Sequence, residues 1–198
     1  MLDFFLKGFR INAICTFISR ITGFVRDMFF AHFLGAGLHS DIFFIATKLP
    51  NLFRRITAEG ALTSSFLPVY SGLLYGKDKQ LAQDYSKIIF LVLLVSVIVI
   101  TVLIQVFLKE VIIILAPGFL DNKALLADIV TLSRFTILFV PLISIVALFG
   151  SMLNASGRFI PFGILPIIIN VIFIFTCLMI SDDLEIKSLP LAISLPIA

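Results

Sequence analysis

The sequence predicts an all-α fold: a polytopic bundle of transmembrane helices with about five full spans, the start of a sixth and a cytoplasmic N-terminus. Three observations predict it. The 198 residues are 60% hydrophobic and 14% charged, with a mean hydropathy of +1.16. Soluble domains average about 45–50% apolar and about 25% charged. Long apolar runs recur, and Ile88 to Leu108 holds no charge over 21 residues, enough to cross a bilayer core. Glycine and proline punctuate the runs where helices should stop, at Gly35-Ala36-Gly37, Ala116-Pro117-Gly118 and Ser156-Gly157-Arg158.

The first span runs from about Phe9 to Leu34 and ends at the Gly35-Ala36-Gly37 stop. Lys7 and Arg10 precede its apolar run, but no small-x-small site follows and Arg20 and Arg26 interrupt it. It therefore reads as a retained helix rather than a cleaved signal. The second begins near Asp41 as N-cap and continues to about Leu74, kinked at Pro50, which removes a backbone donor. Ile88–Leu108 is the third. The fourth starts at Leu125, carries Arg134 in its early turns and continues to about Asn154. The fifth is Phe159–Ile180, with Pro161 and Pro166 early in it. Asp182, Asp183, Glu185 and Lys187 then precede a ten-residue apolar run, Leu189–Ala198, too short to cross a bilayer.

Loop charges orient the bundle. With the N-terminus inside, Lys7, Arg10, Lys77, Lys79, Lys87 and Arg158 are cytoplasmic, against Lys109, Lys123 and Lys187 outside. The same bias accounts for the net charge of +3 and pI near 9.0, so no nucleic-acid partner is implied. Cys15 and Cys177 lie in separate apolar runs without metal-like spacing and read as small packing residues. His32 and His39 flank the glycine-rich turn and are not read as metal ligands, and that turn lacks the spacing of a nucleotide loop. No Ser-His-Asp, Cys-His or carboxylate pair appears, so no enzyme, metal or cofactor is expected. Arg134 reads as an interfacial cation whose stem lies along apolar surface.

One stretch breaks the apolar pattern. Ser19–Gly60 holds Arg20, Arg26, Lys48, Arg54 and Arg55 with Asp27, Asp41 and Glu59, five cations and three anions in 42 residues. Each charge facing lipid at the centre of a span costs about 2.5–3.5 kcal/mol on insertion scales. These residues should therefore pair with one another or face a watery cavity. Ion pairs Arg20–Asp27 and Arg55–Glu59 would be a purely structural answer. They leave a surplus, five minus three, of two positive charges. Buried surplus cations call for an anionic ligand, and arginine is the side chain best suited to bidentate phosphate contact. On an ideal helix Asp41, Lys48, Arg55 and Glu59 fall near one stripe and Arg54 off it, although Pro50 lies between the halves.

These same residues carry a resemblance. Ser19-Arg20-Ile21-Thr22-Gly23-Phe24-Val25-Arg26-Asp27, Gly35-Ala36-Gly37 with Asp41, Lys48-Leu49-Pro50-Asn51-Leu52-Phe53-Arg54-Arg55 and Ala58-Glu59-Gly60-Ala61 resemble the signature of the MurJ (MviN) family of lipid II flippases. That family lies within the multidrug/oligosaccharidyl-lipid/polysaccharide exporter superfamily. Ala116-Pro117-Gly118-Phe119 and Leu153-Asn154 with Arg158-Phe159 are similar too. The resemblance implies a flippase of the bacterial cytoplasmic (inner) membrane. It would move the undecaprenyl-pyrophosphate-linked peptidoglycan precursor, lipid II, to the outer leaflet for cell-wall synthesis. It implies Arg20, Arg26 and Arg54 as pyrophosphate-binding cavity residues, with Asp27, Asp41, Lys48, Arg55 and Glu59 as ion-pair or gating partners. On this point it favours Arg54 where the helical wheel favours Arg55. Family members have two helical lobes, so residues 1–198 are expected to form the N-terminal lobe. Such a chain is a truncated or split product, or a second polypeptide completes it. Two alternatives stand beside this reading: a non-transporting remnant or membrane interaction protein, and an exporter of another polyprenyl-linked saccharide.

Overall fold

A computed structural model describes residues 2–35, 37–56, 64–76, 79–119 and 122–180. Among these residues there is no strand. The helices are α1 (Leu2–Leu34), α2 (Leu38–Arg54), α3 (Leu67–Leu74), α4 (Lys79–Val106), α5 (Leu108–Leu115), α6 (Lys123–Thr136), α7 (Phe139–Ala155) and α8 (Ile160–Ile180). Among the described residues, three stretches are long and apolar enough to cross a membrane: Lys79–Val106, Lys123–Ala155 and Ile160–Leu178. The outer face of α4 exposes Ile88, Leu91, Val92, Val95, Val99 and Leu103, a patch that water would not tolerate and lipid would. The long first helix is not among those three spans, because it carries Arg10, Arg20, Arg26 and Asp27. The run expected after Asp182 lies outside the described residues.

The helix ends follow local chemistry. Gly35 closes α1 in the left-handed conformation at φ 62° and donates to the Ala31 carbonyl at 3.1 Å, a backbone state that costs little only for glycine. Asp41 is not the N-cap of the second helix. That helix starts at Leu38 behind Gly37, and Asp41 sits in its first turn, where its charge complements the helix dipole. The fourth expected helix is two. Pro141 has no N–H for the Ile137 carbonyl and its ring crowds that group, so α6 ends at Thr136 and α7 begins at Phe139. This places Arg134 in the last turn of α6 rather than early in a helix.

Pro50 does not break α2, which continues to Arg54; residues 57–63, through which the second helix is expected to run on to Leu74, lie outside the described residues. The reason α2 continues past Pro50 is a side chain from another helix. Proline at position 50 leaves the carbonyl of Ala46, four residues earlier, without its helical partner. Thr136 Oγ1 of α6 donates to that oxygen at 2.7 Å, at a site where Ala46, Pro50 and Thr136 are all buried. The unpaired acceptor is satisfied, and α2 is tied to α6 at the same point.

Two apolar clusters fill the body of the bundle. Ile42, Ala46 and Leu49 of α2 pack with Val97 of α4, Leu108 and Ile112 of α5, and Leu126, Ile129 and Leu132 of α6. Phe66, Tyr70 and Ala82 pack with Ala147, Leu148 and Ala155 of α7. Buried serines on α7 return their protons to their own helix, Ser144 to Val140 O and Ser151 to Ala147 O, so that face stays small without an unmet donor. Gly150 of the same helix is required by the ring of Phe162, which occupies the place a Cβ would take. The helices α1 and α8 form the remaining pair and lean on each other along their lengths.

Candidate functional site

The face of α1 toward α8 is built of small or polar residues at helical spacing: Gly8, Cys15, Ser19, Thr22, Gly23 and Arg26, ending at Phe30. Gly8 lies against the ring of Phe159, and a Cβ added at Gly163 would stand 3.0 Å from that of Cys15. Small residues on both helices let the backbones approach, as spanning helices commonly require. Cys15 and Cys177 are both buried and serve as packing residues.

Where the two helices are close, α8 inserts Asn170, which is 6% exposed. Its Nδ2 donates to Ser19 O at 3.2 Å and to Thr22 Oγ1 at 3.1 Å. Its Oδ1 accepts from Arg26 Nη1 at 3.0 Å. The Thr22 hydroxyl in turn donates to Ser19 O at 3.1 Å. Arg26 Nε and Nη2 both donate to Asp27 Oδ1, at 3.0 and 2.8 Å. The side chains of Arg26 and Asp27 are 37% and 66% exposed. Three of the five guanidinium N–H groups are therefore committed, and two remain.

Asp27 thus pairs with Arg26, not with Arg20. Arg20 and Asp27 do share a face, but seven residues separate them by about 10.5 Å along the helix, whereas side-chain pairs meet three or four residues apart. Arg20 is exposed on that face. The expected Arg55–Glu59 pair lies outside the described residues at Glu59.

On α2 the buried stripe Ile42, Ala46, Leu49 and Pro50 faces the core, and Asp41, Lys48 and Arg55 are exposed on the opposite side. Arg54 is different. It is half-buried and lies eleven residues, about three turns, beyond Phe43, on the flank that also carries Thr47. Phe43 marks which way that flank points: its ring is 4.9 Å from Phe30 of α1 and 6.3 Å from Phe173 of α8. Phe44 also reaches Phe30, at 5.1 Å. The two charged helices therefore meet at an aromatic cluster beside the Gly35–Gly37 turn. Away from it α1 packs mainly on α8, and α2 on α6 and α7.

The structure brings Arg26 and Asp27 together and adds Asn170, which the charge pattern overlooked. Its signal was present: a lone amide inside Ile167-Ile168-Ile169-Asn170-Val171-Ile172-Phe173, costly in an apolar span unless paired. His32 is exposed, and among the described residues no group of three or more His, Cys, Asp or Glu side chains could hold a metal ion. The arrangement offers a held, half-exposed cation. Chemically it is suited to taking up an anion.

The sequence model of the family described as lipid II flippase MurJ matches residues 30–198. A probable lipid II flippase MurJ of Rickettsia prowazekii (strain Madrid E) is 40% identical over 188 residues, 95% of this chain and 37% of the relative. That of Buchnera aphidicola subsp. Schizaphis graminum (strain Sg) is 36% identical over 194 residues, 97% of this chain and 37% of its own length. A solved lipid II flippase MurJ in an inward closed conformation superposes with a TM-score of 0.76 at 24% identity, covering 94% of this chain and 39% of that one. That likeness establishes the fold. The chain spans little more than a third of the length of these relatives.

Proposed function

The chain belongs to the lipid II flippase MurJ family, and on that premise we propose that it forms the N-terminal lobe of a lipid II flippase in the bacterial inner membrane. The lobe carries the cationic half of a central cavity. Arg20, Arg26 and Arg54 receive the pyrophosphate of the undecaprenyl-linked precursor, while its lipid tail stays in the bilayer. Asp27, Asp41, Lys48, Arg55 and Glu59 act as ion-pair or gating partners. Rocking of this lobe against a second one carries the headgroup to the outer leaflet. The family is one of transporters, and no bond is made or broken. The second lobe is supplied by further polypeptide.

One observation carries the reading: the half-exposed guanidinium of Arg26, with N–H groups to spare, fixed beside apolar spans. Two or three arginines suffice to neutralise a pyrophosphate, and arginine matches its oxygens bidentately. The test is growth and outer-leaflet lipid II in a bacterium depleted of its own flippase. The chain is expressed alone, with a second-lobe polypeptide, and in both cases as Arg26→Ala and Arg54→Ala. Rescue by the pair, lost in either variant, is the expected result. Rescue that survives both substitutions rejects the cavity assignment. No rescue, with both polypeptides in the membrane, favours a remnant without transport.

A further inference from the structure

We propose that Asn170 is a positioning residue: the fixed partner that aims the Arg26 guanidinium at an anionic ligand, while Asp27 is the partner the ligand displaces. The inference rests on the proposed function for the identity of the ligand, and on geometry for the division of labour.

The two oxygens that hold Arg26 differ in every respect that matters for exchange. Asn170 is buried, and both of its amide protons are already spent on Ser19 O and Thr22 Oγ1. Those two bonds fix the amide so that only Oδ1 can face Arg26, and they anchor it to the same helix that carries the arginine. Asp27 is 66% exposed, uses one oxygen for both of its contacts, and stands on the side chain next in sequence to Arg26. An arriving phosphate can take over the Nε–Nη2 edge from Asp27, which turns to water, without disturbing the Nη1–Asn170 bond.

The neutrality of the amide is part of the design. A carboxylate at position 170 would be a counter-ion buried beside Arg26 and unable to leave, so an anion would compete with it permanently. It would also lose the two donors that bind Ser19 and Thr22. A neutral acceptor orients the cation and leaves its charge available. The sequence offered no pairing for Asn170; the crossing of α1 and α8, where a Cβ added at Gly23 would stand 3.5 Å from the amide nitrogen, creates it.

The test reads Arg26 directly. The full chain in membranes is treated with phenylglyoxal, which modifies guanidinium groups, and modification of Arg26 is followed by peptide mass spectrometry. Alkylation of Cys15 reports in parallel on the packing of α1 against α8. In Asn170→Leu the Arg26 rate should rise by about tenfold, the worth of one lost bond to a charged group, with the Cys15 rate unchanged. In Asn170→Asp the guanidinium should stay protected while binding of inorganic pyrophosphate falls by about tenfold or more. An unchanged Arg26 rate in Asn170→Leu, or one that rises only together with Cys15, overturns the proposal. So does an Asn170→Asp chain that binds pyrophosphate as the parent does. If the parent itself binds no pyrophosphate, the anion reading fails, and the Arg26 rate still decides whether Asn170 positions it.

Discussion

Two of the polar junctions between helices solve different problems. At Pro50, the Thr136 hydroxyl fills a gap in the hydrogen bonding of α2, and the site is sealed from solvent and neutral. At Asn170, the amide also joins two helices, but it leads to a charged side chain that is more than a third exposed. The first junction repairs a backbone. The second holds a half-exposed cation. Burial alone does not distinguish a structural polar group from a functional one; what matters is whether its chain of bonds ends on a backbone carbonyl or on a charge that reaches open space.

The strongest way to break this contrast is in the charged stretch. Arg26→Ala and Arg54→Ala should abolish complementation in the test proposed above, whereas Lys48→Ala and Arg55→Ala, which remove exposed ion-pair partners on α2, should lower it by no more than about threefold. Such a loss is within what screened surface charges contribute. Equal loss in all four variants would show that total charge, not its placement, sets function. Next in size is the packing of α7 against α8. Gly150→Leu drives a side chain into the ring of Phe162 and should destabilise the bundle by about 3 kcal/mol in detergent unfolding, at the upper end of overpacking costs.

Thr136→Val sharpens the structural half of the comparison. It strands the Ala46 carbonyl and should cost about 1–3 kcal/mol. In a Pro50→Ala background the helix regains its own donor, so the same substitution should become nearly neutral; additivity of the two changes would refute the repair. The smallest effect is expected at the turn between the two charged helices. Gly35→Ala forces a Cβ into the left-handed region and should lower stability by about 1 kcal/mol, leaving the Arg26–Asn170 contact in place.

Much of this was legible in the residues. The α1 stop at Gly35, the uncharged run inside α4, the turn at Pro117-Gly118 and the onset of α8 follow from glycine, proline and apolar run length. The sixth apolar run lies outside the described residues. The Arg20–Asp27 pairing fails because only local geometry is available along a helix, and a shared face does not bring two side chains seven residues apart within reach. Pro141 was the opposite case, a local break in the fourth helix that the apolar run length concealed.

By itself the sequence determined the class of the molecule and where its charges lie along the chain, because lipid compatibility and helix punctuation depend on residues within a turn or a span of one another. Which distant polar groups meet was decided by the tertiary structure alone. Arg26 finds Asn170 across 144 residues and Ala46 finds Thr136 across 90, since a polar group in an apolar bundle must accept whatever partner the packing of distant helices brings within reach.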